Sequence, residues 1–284
     1  MPDHPADPLV SAEWLAERLQ TPDIRVIDAT WFMPNDPRDA KALYAERRIP
    51  GAVFFDIDEI ADTSSDLPHM LPSPEKFASR MKKLGIGDGA KVVVYDGAGI
   101  FSSARVWWTF RVMGHEDVVV LDGGFPAWEA GGYPIEDGAP APRSERHFTA
   151  RYRADLVRDL ADMRRAVDAG ASIIDARPTP RFTGEAPEPR AGLRGGHMPG
   201  ARALPTAPLL RDGKMLPREE LAKMFADAGA KTDQPAITTC GSGVAASVIA
   251  LALARLGRWD ASVYDGSWTE WGGRDDTPVV TGPA

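Results

Sequence analysis

The chain has 284 residues, enough for two domains that each bury a core. Its 33 Lys and Arg against 41 Asp and Glu give a formal net charge of −8 at pH 7, which argues against a general nucleic-acid or anionic-membrane surface. No stretch approaches the roughly 20 apolar residues of a membrane span, and one cysteine excludes an intramolecular disulfide. Met1-Pro2-Asp3-His4-Pro5 lacks the basic and apolar regions of a signal peptide, so a soluble cytoplasmic protein is expected. The histidines at 4, 69, 115, 147 and 197 include no pair at metal-ligand spacing; neither a metal nor another cofactor is expected.

In chain order, Arg25-Val26-Ile27-Asp28 reads as a buried strand. Ser73-Pro74-Glu75 then opens a helix, with Ser as N-cap, Pro at the first position and Phe77, Met81 and Leu84 on one buried face, and Gly85 stops it. Lys91–Tyr95 and Asp117–Leu121 read as further buried strands. Strands interleaved with helical patterns predict an α/β fold, a mainly parallel sheet flanked by helices. Gly138–Ser144, rich in Pro and Ala, reads as an exposed linker.

Beyond that linker the landmarks recur. Ile173-Ile174-Asp175-Ala176 repeats Val26-Ile27-Asp28-Ala29, Met198-Pro199-Gly200-Ala201 repeats Ile49-Pro50-Gly51-Ala52, and Leu216-Pro217 repeats Leu71-Pro72. Asp265-Gly266-Ser267-Trp268-Thr269-Glu270-Trp271 repeats the stretch from Asp122 to Trp128. The preserved order, with small length changes, predicts two copies of one domain: 8–136, a linker at 137–153, and 154–284.

Cys240 follows the strand-like Pro235–Thr239 and precedes a helix-like run from Val244, with Gly241-Ser242-Gly243 between. A small-residue loop opening a helix gathers backbone N–H groups into one concavity, and the helix dipole adds positive potential. Both favour a thiolate, which makes Cys240 a candidate nucleophile; a lone cysteine also commonly serves as a small buried hydrophobe. Aligning the copies sets Asp96 against Cys240, so the first copy lacks the nucleophile.

The sequence resembles the tandem rhodanese-like sulfurtransferases over almost its whole length. The resemblance is carried by Ile49–Ala52, the Asp-Gly-Gly-x-x-x-Trp stretch ending at Trp128, Gly196-His197-Met198-Pro199-Gly200-Ala201, the cysteine loop and Asp265-Gly266-Ser267-Trp268. It implies two rhodanese-like domains, with the second domain's active site facing an interdomain cleft. Thiosulfate-preferring members carry basic residues just after the cysteine. Here Gly241, Ser242, Gly243, Val244 and Ala245 form a neutral substrate-binding loop similar to that of 3-mercaptopyruvate sulfurtransferases, with Ala245 where threonine is usual. Arg181 and Arg190 occupy the family's substrate-carboxylate positions; on residue type alone they read equally as partners of Glu185 or Glu188. Asp58, His69 and Ser242 match a proposed relay toward the cysteine, although a loop histidine by itself reads as a packing or surface residue.

The resemblance therefore implies transfer of sulfane sulfur from 3-mercaptopyruvate through a Cys240 persulfide to a thiol acceptor, such as thioredoxin or a small thiol, or to cyanide. Thiosulfate transfer is the nearest alternative, and a non-catalytic sulfur carrier or interaction module the next. A cysteine phosphatase is disfavoured because Ala246 stands where its phosphate-clamping arginine belongs. Trp107, Trp108 and Trp268 read as core or interdomain packing.

Overall fold

The computed structural model describes residues 7–283; Met1–Ala6, including His4 and the segment read for a leader, lie outside them. The chain divides into two compact units. One runs through Thr63 and comprises also Leu71–Arg153 and Arg211–Met215; the other comprises Ser64–Met70, Ala154–Leu210 and the chain from Leu216 on. Each half of the sequence thus contributes a short segment to the unit built mainly from the other half.

The first unit holds β1 (Leu9–Val10), α1 (Ala12–Arg18), β2 (Ile24–Asp28), α2 (Ala40–Glu46), β3 (Val53–Phe54), α3 (Pro74–Lys83), β4 (Lys91–Tyr95), α4 (Ser102–Val112), β5 (Val118–Leu121) and α5 (Gly124–Ala130). Its strands form a parallel sheet in the order β1-β5-β4-β2-β3. The expected helix at Ser73 forms as α3: the Ser73 hydroxyl accepts from Lys76 N at 3.2 Å, and Phe77 and Met81 are buried. Leu84 is half-buried, and Gly85 ends the helix at φ +70°. Residues 137–153 group with this unit. These residues are exposed through Ala141–Arg146, then Phe148 is buried against Phe77, Phe110 and His115.

From there the chain forms β6 (Val157–Arg158), α6 (Leu160–Asp168), β7 (Ser172–Asp175), α7 (Thr179–Thr183), β8 (Arg202–Ala203), a two-stranded ribbon of β9 (Leu210–Arg211) and β10 (Lys214–Met215), α8 (Arg218–Asp227), β11 (Ala236–Thr239), α9 (Val244–Arg255), β12 (Ser262–Tyr264) and α10 (Ser267–Trp271). The second unit's sheet is again five-stranded and parallel, in the order β6-β12-β11-β7-β8. Strand for strand this is the first unit's order, so the duplication read from the sequence is a duplication of topology, and β4 and β11 are counterparts.

Both sheets draw on β-branched residues, Val92–Val94 and Val118–Val120 in one and Ile173–Ile174 in the other, which suit strands buried on both faces. The helices after the two counterpart strands are nearly wholly buried, and α9 is apolar around its circumference. In α4 this traps two arginines, whose guanidinium groups lie over indole rings: Arg105 over Trp108 at 4.6 Å and Arg111 over Trp107 at 4.9 Å. Trp107 and Trp108 are core residues.

The counterpart loops differ in what fills them. Asp96 is 1 % exposed and turns its carboxylate into its own loop, accepting from Ala98 N at 2.8 Å, Phe101 N at 2.7 Å and Ser103 N at 2.8 Å. The first unit's anion cradle is therefore occupied by a side chain of the chain itself. Asp96→Ala leaves three inward N–H groups without their acceptor and is expected to destabilise the protein by about 3 kcal/mol in urea unfolding; a loss under about 0.5 kcal/mol would contradict this account.

A second contrast concerns Asp28 and Asp175, which end the counterpart strands β2 and β7. Asp175 pairs with Arg177, whereas two residues after Asp28 stands Thr30, which donates from N at 2.8 Å and from its hydroxyl but brings no cation. Burial accordingly raises the Asp28 carboxyl to a pKa of about 6, despite the Thr30 and Tyr95 hydrogen bonds that pull it down. Between the ordinary aspartate value and about 6 the folded state keeps a proton that the unfolded state has lost, so stability falls as pH rises through that window. Asp28→Asn removes this slope. Its stability relative to wild type should rise by up to about 3 kcal/mol between about pH 4 and about pH 7, read from urea unfolding at each pH.

Candidate active site

β11 delivers Cys240 to the end of its strand, 3 % exposed. The loop then turns through Gly243, whose φ of +82° only glycine adopts without cost, into α9. The first N–H groups of a helix have no intrahelical acceptor, so this geometry aims unspent donors and the positive end of a twelve-residue helix at the cysteine loop. Ser242 is buried within the loop, and Ala245 is half-buried on the first turn.

The loop's carbonyls are drawn away from that concavity. Trp268 N donates to Cys240 O at 2.9 Å; Thr269 donates to Gly241 O from N at 2.9 Å and from its hydroxyl at 2.7 Å. Cys240 N donates to the Ser267 hydroxyl at 3.3 Å, and that hydroxyl donates to Tyr264 O at 2.8 Å. Ser267 achieves this in a left-handed conformation, φ +49°, which non-glycine residues rarely hold. The terminal Asp-Gly-Ser-Trp motif is thus the clamp on the cysteine loop.

Arg181, on α7, and Arg190, just beyond it, converge on the same loop. A Cβ added to Gly241 would lie 3.3 Å from Arg181 Nη2 and 3.9 Å from Arg190 Nη1. Glu188, the alternative partner, is also there: Arg181 Nε donates to its Oε2 at 3.1 Å, and Nη2 bonds the same oxygen. Glu188 Oε1 accepts from Arg177 Nη1 at 2.8 Å. Arg177 in turn grips Asp175 through Nε, at 3.1 and 3.0 Å, and Nη2, at 2.6 Å, donates to Gly196 O at 2.8 Å, and lies 4.0 Å over the Trp268 ring. The side chains of Asp175, Arg177 and Glu188 are at most 1 % exposed. Burial alone would lower the Arg177 pKa, but the carboxylates of Asp175 and Glu188 outweigh it and hold the guanidinium above the usual arginine value. Neither Arg181 nor Glu188 is a surface ion pair; the carboxylate is fully enclosed and holds the guanidinium in place.

His197 secures α7 from the other side. Its ring stacks on Phe182 at 3.7 Å, its Nδ1 bonds Phe182 O at 2.9 Å, and its backbone bridges to Val280. Burial lowers its pKa, so at neutral pH it is an uncharged packing ring.

The structure places the other expected residues as follows. His69 is buried, groups with the second unit and has φ +60°, an uncommon conformation for histidine. Asp58 belongs to the first unit, where it is exposed, accepts from Trp31 Nε1 at 2.9 Å and lines a hollow of about 370 Å³ with Trp31, Phe54 and Asp56. Cys240, Gly241, Arg181 and Arg190 are brought together directly. Sequence reasoning missed the work of Asp175, Arg177, Ser267 and Thr269. The signal for the first two was Arg177 standing where the first copy has Thr30.

A parallel α/β unit repeated in tandem, with a cysteine at the head of a helix in the second copy only, is a defined class of protein, and the comparisons place the chain in it. The chain belongs to the rhodanese-like domain family, which it matches at residues 11–131 and 157–274. Among its relatives, the 3-mercaptopyruvate sulfurtransferase of Escherichia coli K12 is 43 % identical over 95 % of this chain and 96 % of its own. The mitochondrial thiosulfate/3-mercaptopyruvate sulfurtransferase 1 of Arabidopsis thaliana is 42 % identical over 96 % and 78 %. The crystal structure of SseA, a 3-mercaptopyruvate sulfotransferase from Escherichia coli, superposes with a TM-score of 0.85 at 41 % identity, covering 92 % of this chain and 99 % of that one.

The space beside Gly241 is taken by the guanidinium groups, and its backbone φ is not in the left-handed range. Gly241→Ala should fold normally and push Arg181 aside, raising the KM for an anionic donor about tenfold with a much smaller change in kcat. Steady-state kinetics beside a thermal melt checks this; an unchanged KM would show that the guanidinium groups accommodate the added methyl.

Proposed function

We propose that the protein is a sulfurtransferase that takes sulfur from 3-mercaptopyruvate onto Cys240 and passes it to a thiol acceptor or cyanide. The convergence of two guanidinium groups on Gly241, the residue after Cys240, supports this most directly, because a guanidinium pair holds a carboxylate in a fixed orientation. With the donor carboxylate on Arg181 and Arg190, the Cys240 thiolate attacks the donor sulfur. The S–S bond forms as the C–S bond breaks, and pyruvate leaves as its enolate, which takes up a proton to give pyruvate. The persulfide anion rests against the N–H groups of Gly241 to Ala245. An acceptor thiolate then attacks the outer sulfur, leaving with it as a persulfide and restoring the Cys240 thiolate; cyanide leaves as thiocyanate.

Ser242, with His69 and Asp58, is our candidate for the proton delivered to the enolate. Thiosulfate ranks second as donor. It is a dianion with no carboxylate, and Gly241–Ala246 carry no cation to receive it. Among the described residues no helix is long and apolar enough to cross a membrane, and a Cys240 thiolate suits a reducing compartment such as the cytoplasm. The acceptor fits as thioredoxin or a small thiol, since the chain has no second cysteine to discharge the persulfide.

Steady-state transfer from both donors, with pyruvate release, tests the assignment. Wild type should prefer 3-mercaptopyruvate, Cys240→Ser should abolish turnover, and Arg181→Ala or Arg190→Ala should each cost about a hundredfold in kcat/KM. A thiosulfate preference would reassign the donor, and turnover surviving in Cys240→Ser would remove the persulfide mechanism.

A further inference from the structure

Three guanidinium groups and two carboxylates form one connected set beside Cys240: Asp175, Arg177, Glu188 and Arg181 linked by hydrogen bonds, with Arg190 next to Arg181 across Gly241. Asp175 offsets Arg177, Glu188 offsets Arg181, and the set is left with one net positive charge. We propose that Glu188 is a specificity-determining residue: by cancelling one of the two donor-facing arginines it fits the site to a monoanionic carboxylate and against a dianion. This rests on the donor reading above.

The placement of Glu188 fits this task. Its side chain is 1 % exposed, so water and salt do not screen it, and its charge acts on the donor site at close range. Both its oxygens are committed, Oε1 to Arg177 and Oε2 to Arg181. Arg181 itself is 22 % exposed, open enough for a donor while anchored behind. Two unopposed arginines would bind a dianion more strongly than a monoanion, because attraction scales with the donor's charge. One net charge gives a monocarboxylate full complementarity and leaves a dianion with an excess negative charge. The neutral cysteine loop and Glu188 then act in the same direction, the first by withholding a cation and the second by cancelling one.

The test is the ratio of kcat/KM for thiosulfate to that for 3-mercaptopyruvate. Glu188→Gln keeps the shape and removes the charge; the ratio should rise about tenfold or more, chiefly through a lower KM for thiosulfate. Glu188→Asp keeps the charge and shortens the reach; its ratio should stay within about twofold of wild type even where both rates fall. A role confined to holding Arg181 in position would depress both donors together and leave the ratio unmoved in both variants, which overturns the proposal. So does a rise in the Asp variant, an outcome readable even if the Gln variant fails to fold. Wild type that turns over neither donor would instead sink the donor reading on which the proposal stands.

Discussion

The site depends on where two carbonyl groups point. Left alone, the carbonyls of Cys240 and Gly241 would compete with N–H groups for the loop interior and repel an anion there. Trp268 and Thr269 take both as acceptors, and Ser267 receives the Cys240 N–H. The loop is thereby sorted: the carbonyls of Cys240 and Gly241 and the Cys240 N–H are taken up by the Ser267–Thr269 segment, which leaves the N–H groups after Cys240 for the sulfur. A left-handed serine is the local cost of that arrangement.

The first unit solves the same electrostatic problem internally. Asp96 follows the counterpart strand and supplies its carboxyl group to three N–H groups, so the loop's donors are satisfied from within the chain. Carboxylate and persulfide are interchangeable as far as a ring of backbone donors is concerned; only one of them does chemistry. The ends of β2 and β7 diverge in a similar way. Where the second unit needs a carboxylate to hold Arg177, it stays paired, and where that demand is absent the equivalent Asp28 is left beside hydroxyls at a raised pKa.

Much of this was legible in the chain. The valine and isoleucine runs announce the central strands, Ser73-Pro74 and Gly85 announce α3, and the repeat predicts both the shared strand order and the place of Asp96. The two-residue strands β1, β3, β6 and β8 carry too few residues for periodicity to register. The ion network was hidden for another reason: Arg177 could have met Glu185, Glu188 or solvent, and only the path of the chain after α7 turns Glu188 inward. The left-handed conformations at His69 and Ser267 fall on residues that signal them far less than a glycine would. The burial of Arg105 and Arg111 follows from the enclosure of α4 on all sides, which no local pattern in the chain announces.

The reciprocal placement of residues 64–70 and 211–215 bears on how the duplicated chain evolves. A tandem pair joined only by a tether can lose one copy, or be split between two genes, at little structural cost. Here a cut at the tether would strip each half of a segment it packs as its own and leave the borrowed one stranded on the wrong piece. Two units that exchange segments in this way are less readily parted, by cleavage or by gene division, than a pair joined by a tether alone.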